Sequence, residues 1–102
     1  MEELLTRYSP ENKEKVNLIL DKWKEYNPGN SEILLTKRGS TIARICSYSR
    51  EYLLFQKNRE ILNYITKRYK TIKKGDSIHI LLENLNKADI IDIINKMKEE
   101  YS

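Results

Sequence analysis

At 102 residues the chain has room for one domain with a single modest core, and a composition 39% hydrophobic and 33% charged excludes a disordered segment. The net charge of +4 is only mildly basic, so it admits a nucleic-acid partner without requiring one. The lone cysteine, Cys46, excludes an internal disulfide, and the most apolar run, Ile90 to Ile94, is short and contains Asp92, too little to span a membrane. The acidic start Met1-Glu2-Glu3 is unlike a secretory signal, so a soluble intracellular protein is expected.

Ser9-Pro10-Glu11 reads as a helix start, with Ser9 as cap and Pro10 in the first helical position. Val16, Ile19, Leu20, Trp23 and Tyr26 follow at helical spacing, and Asn27-Pro28-Gly29-Asn30 is expected to end that helix. Ile33 to Thr36 and Thr41 to Ile45 flank the turn Lys37-Arg38-Gly39-Ser40 and predict a hairpin. Glu51 to Phe55 reads as a third strand, although Ile42, Ile45, Tyr52 and Phe55 also fit a helical stripe, so residues 41–56 admit both readings. A second helix is expected from Asn58 to Ile72, with Ile61, Leu62, Ile65, Tyr69 and Ile72 inward and Gly75 just beyond its end. Ile78 to Leu82 reads as a strand. Asn86 and Asp89 cap a last helix with Ile90, Ile91, Ile94 and Met97 inward, whose acidic end, Glu99-Glu100, is expected to fray.

The chain also aligns with itself. Set against one another without a gap, residues 12–36 and 58–82 share eight identities in 25 positions, where about two are expected by chance. Val16 meets Leu62, Trp23 meets Tyr69, Tyr26 meets Ile72, and Gly29-Asn30-Ser31 meets Gly75-Asp76-Ser77. The expected fold is therefore α+β: two pseudo-repeated helix-loop-strand units, about 9–48 and 55–101, packed together in one domain with helices on a small, mostly antiparallel sheet. Neither unit buries enough surface to fold alone, so they pair, and the seam between paired units is a natural site for a partner.

Chemistry is thinly represented. His79 is the only histidine and sits between Ile78 and Ile80, so alternation turns it away from the face they share. One histidine and one cysteine make no metal site, and nothing favours a Cys46–His79 nucleophile pair. The turns at Gly29, Gly39 and Gly75 lack the spacing of a phosphate loop. Asp89 and Asp92 interrupt an isoleucine stripe and mark a solvent face more simply than an acid–base pair. No catalytic residue, metal or cofactor is expected, and the reading is of a non-enzymatic protein.

Two binding surfaces stand out. Tyr48, Arg50, Tyr52 and Phe55 lie where one unit gives way to the next and are of the types enriched at interfaces, which points to a protein or peptide partner at the seam, with strand addition as one mode. Lys67, Arg68, Lys70, Lys73 and Lys74 fall within eight residues, in a stretch from 57 to 74 that carries +6, and point instead to nucleic acid, with Tyr64 or Tyr69 available for stacking. A basic last helical turn also answers the helix dipole, and the solvated-face explanation is the simpler one. Over its whole length, from Met1-Glu2-Glu3-Leu4-Leu5-Thr6-Arg7-Tyr8 and Ser9-Pro10-Glu11-Asn12 onward, the chain resembles the small proteins of Acidianus filamentous viruses. That resemblance implies a setting, the cytoplasm of an archaeal host or the virion, and carries no site residues with it.

Overall fold

The computed structural model describes all of residues 1–102. It is an α+β fold in which helices cover one face of a six-stranded antiparallel sheet. In chain order the elements are α1 (Glu2–Leu5), α2 (Pro10–Lys22), β1 (Tyr26–Pro28), β2 (Glu32–Lys37), β3 (Ser40–Cys46), β4 (Tyr52–Gln56), α3 (Arg59–Arg68), β5 (Ile72–Lys74), β6 (Ser77–Leu81) and α4 (Lys87–Glu100), with a single 3-10 turn at Leu82–Asn84. The strand order is β1-β2-β3-β4-β6-β5.

Three N-caps follow the chemistry of their residues. The Ser9 hydroxyl accepts the Asn12 amide, the Asn58 side chain accepts that of Ile61, and Asn86 with Asp89 closes a reciprocal capping box. The β2–β3 hairpin turns through Arg38 and Gly39, both at positive φ, and the Glu25 carboxylate accepts from the Arg38 and Gly39 amides and the Thr36 hydroxyl. Residues 41–56 are strand at both ends, so the hairpin reading holds over the helical one.

The inner sheet face is built in cross-strand rows: Ile33, Ile45, Leu53 and Ile80 in one, Leu35, Ala43, Phe55 and Ile78 in the next. Val16 and Ile19 from α2, Ile61 and Ile65 from α3, and Ile90, Ile93, Ile94 and Met97 from α4 close the core over them. On α4 the inward residue is Ile93, whereas Ile91 is exposed: Ile90, Ile93, Ile94 and Met97 make the i, i+3, i+4, i+7 stripe, and Ile91 falls about 100° off it. The helix also runs intact to Glu100, because Lys96 pairs with both Glu99 and Glu100 and offsets their conflict with the dipole.

Both earlier helices are shorter than their apolar spacing suggests, and for the same reason. Trp23 and Tyr69 end α2 and α3 in extended conformation, and the next apolar residues, Tyr26 and Ile72, lie in the short edge strands β1 and β5. Gly29 and Gly75 are accordingly hairpin-turn residues and not helix terminators, and Gly75 takes φ +58°.

At the 46-residue offset the order helix, short strand, longer strand recurs, with α2 ending at Lys22 and α3 at Arg68. The correspondence of faces stops at the helices. Tyr26 pairs with Leu35 on the core side, while its counterpart Ile72 pairs with His79 on the opposite side. The hairpin loops also differ in length, since Pro28 pairs with Ile33 but Lys74 pairs with Ser77; that two-residue difference shifts the pairing without exchanging faces, so the inversion is already set where β1 and β5 leave their helices. The α4 helix packs against both α2 and α3, and the sheet runs unbroken through the β3–β4 hairpin.

Candidate functional site

The segment joining β3 to β4, residues 47–51, stands at the centre of the candidate site. Tyr48 at its tip is 58% exposed, the largest exposure of any big hydrophobic side chain in the protein. Arg50 is exposed and reaches Glu83 at 3.9 Å. Glu51 turns the other way, accepting from the Ser9 amide at 2.7 Å and from the Asn12 side chain at 3.1 Å, which ties the segment to the start of α2.

Behind Glu51 opens the largest recess of the molecule, about 780 Å³, between the start of α2 and the stretch that leads into α4. Glu11, Glu14 and Lys15 form one wall, and Glu83, Lys87 and Asp89 stand on the other. Two contacts bridge the walls: Lys87 to Glu14 at 3.7 Å, and the Lys15 ammonium donating to the Leu82 carbonyl at 2.7 Å. Five carboxylates (Glu11, Glu14, Glu51, Glu83 and Asp89) against two lysines leave the lining at net −3 in a protein of net +4.

The other two junction residues are elsewhere. Tyr52 lies on the sheet face that no helix covers, stacked on His79 with centroids 4.4 Å apart and planes 11° from parallel. Burial, with Cys46 beside it, pushes the Tyr52 hydroxyl up to about 12. Phe55 is 2% exposed and belongs to the core, so it offers nothing to a partner; strand alternation from Leu53 determines this. His79 does face away from Ile78 and Ile80, and burial, then Lys74, hold it below the usual histidine range. Burial raises the Cys46 thiol to about 11, the opposite of an activated nucleophile. No group of three or more His, Cys, Asp or Glu is placed to share a metal ion, and no helix is long and apolar enough to cross a membrane.

All five residues of the basic cluster, Lys67, Arg68, Lys70, Lys73 and Lys74, are exposed. The tyrosines expected to stack beside them are engaged. Asp92 accepts the Tyr64 hydroxyl at 2.6 Å and also that of Tyr69, and the Arg68 guanidinium lies 3.8 Å over the Tyr64 ring. This Tyr–Asp–Tyr clip between α3 and α4 escaped the sequence reading, because Asp92 falls 23 and 28 residues from its partners and no local pattern links them.

The edges of the sheet are poor templates for strand addition. Each is three residues long; β1 contains Pro28, and β5 carries Lys73 and Lys74. No protein-family model, no curated protein and no solved structure matches the chain.

Proposed function

We propose that the protein is a non-enzymatic binding module that takes a polypeptide segment in the cleft between the start of α2 and the approach to α4, at the seam of its two units. The observation that carries this reading is the recess of about 780 Å³ whose lining includes Glu51 of the junction segment 47–51 and Glu83, the ion-pair partner of Arg50. A recess of this size suits a few side chains of an extended peptide. Its lining selects among peptides: net −3 favours a segment with lysine or arginine, Arg50 adds a planar cation at Glu83, and Tyr48, exposed on the same segment as Glu51, offers an amphipathic ring. Strand addition is not the mode, given the short, blocked edges. The setting, following the resemblance to archaeal-virus proteins, is the host cytoplasm or the virion.

Fluorescently labelled synthetic 12-mers in basic, neutral and acidic series, read by anisotropy, test this proposal. Members of the basic series should bind, and Glu11→Lys combined with Glu83→Lys should weaken them at least about tenfold. Tyr48→Ala should cost about 1 kcal/mol of binding without moving the unfolding midpoint. Equal binding of all three series, or basic-peptide binding indifferent to these substitutions, would sink the proposal.

A further inference from the structure

The stretch 57–74 holds seven cations, Lys57, Arg59, Lys67, Arg68, Lys70, Lys73 and Lys74, against the single carboxylate of Glu60, a net of +6. The whole chain carries +4, so the other residues together carry −2. All seven are exposed, and none forms an ion pair, whereas five of the twelve cations elsewhere do, Lys24, Arg44, Arg50, Lys87 and Lys96. They run from the start of α3, along its end, through the connection at Lys70 and onto the edge strand β5.

Ordinary structural needs explain only some of them. Lys67 and Arg68 suit the negative end of the α3 dipole, and Lys73 and Lys74 protect an edge. Lys57 and Arg59 stand at the positive end of the same helix, where the dipole opposes them, and Lys57 holds φ +75° as well. Arg68 is fixed in place, since its guanidinium rests on Tyr64, whose hydroxyl Asp92 holds.

We propose that this α3–β5 face binds the phosphate backbone of double-stranded nucleic acid, independently of sequence. Charge complementarity selects the polyanion. The duplex is selected over the single strand because the aromatic rings that a single strand needs are committed: Arg68 covers Tyr64, and Asp92 holds Tyr69. A helix of ten residues spans about 15 Å, so the cations at its two ends reach different phosphates of a duplex, whose charges recur every ~1.7 Å of axis. This surface shares no residue with the cleft lining, and the inference does not rest on peptide binding.

The test is anisotropy of the full-length protein on a labelled 20-base-pair DNA duplex, on the 20-nucleotide single strand of the same sequence, and on vesicles rich in phosphatidylserine, each over a salt series. Duplex binding should weaken steeply with salt, with a log–log slope of about −0.9 for each phosphate contacted. Lys67→Gln, Lys70→Gln and Lys74→Gln together should weaken it about uniformly across sequences and lower the slope by roughly one per lysine removed. The control Lys22→Gln with Lys24→Gln, at the end of α2 and just beyond it, should leave binding unchanged. Absent or salt-insensitive duplex binding overturns the proposal, as does an equal loss in the control. Preference for the single strand or for the vesicles overturns it too.

Discussion

Asp92 shows how much one side chain decides. Burial works to raise its carboxyl, yet the Tyr64 and Tyr69 hydroxyls, helped by Arg68, outweigh it and hold the pKa below the ordinary carboxylate value. A carboxylate whose folded pKa is depressed stabilises the fold above its unfolded pKa, and that contribution fades as pH falls through the folded value. The tyrosines bound the window from the other side. The Tyr64 hydroxyl is raised chiefly by its bond to Asp92, and the Tyr69 hydroxyl by burial and then that bond, so their contribution is lost only in strong alkali. Asp92→Asn should therefore destabilise by about 1 kcal/mol at pH 7, the clip being half open to solvent and partly screened. In urea unfolding of both proteins, the difference should shrink as pH falls from 7 through and below the ordinary carboxylate range. A constant difference across that range would show that the ionised carboxylate is not what holds the two rings.

At the scale of elements, the sequence conveys those that are long and patterned. Ser9-Pro10 and Asn86 with Asp89 mark their helices because a cap is a local bond between neighbours, and alternation around Lys37 to Ser40 marks the hairpin. The edge strands β1 and β5 were illegible for a shared reason. In each, an apolar residue falls three positions after the helix ends, Tyr26 after Trp23 and Ile72 after Tyr69, so periodicity runs on while the backbone has already changed. What makes them strands is pairing with β2 and β6, which is tertiary information. The candidate site divides similarly. The exposure of Tyr48 and Arg50 suits the composition of a junction, but the burial of Phe55 depends on strand phase, and the cleft joins residues some 75 positions apart.

Those edges carry a prediction of their own. Pro28 withholds an amide from an incoming strand, and two lysines repel one. Lys73→Thr with Lys74→Thr leaves a β5 of Ile-Thr-Thr, favourable for a strand and no longer charged. Light scattering should then show association that grows with concentration, while Thr substitutions at the equally exposed Lys67 and Lys70 on α3 and its exit should leave the protein unassociated. Association of both pairs alike would point to lost net charge and not to an unprotected edge.

For the whole molecule, the question is whether the seam divides it. The ladder argues against division: β3 pairs with β2 on one side and β4 on the other, and β4 continues to β6, so the rows Ile33-Ile45-Leu53-Ile80 and Leu35-Ala43-Phe55-Ile78 each take residues from both halves of the chain. The α4 helix lies over both α2 and α3, and Lys15 with Leu82 and Lys87 with Glu14 tie α2 to the 3-10 turn and to the start of α4. Cutting at the 47–51 segment would expose Ile45 and Leu53, together with half of every row, in fragments of about 50 residues too small to replace that burial. The intact chain should accordingly unfold in one transition, with far-ultraviolet and near-ultraviolet circular dichroism coinciding. Fragments 1–50 and 51–102 should each be unfolded alone and regain strand and helix signal when mixed. A fragment that folds by itself, or two separated transitions in the intact chain, would show two autonomous units, and the cleft at their seam would then open and close with their relative motion instead of standing preformed.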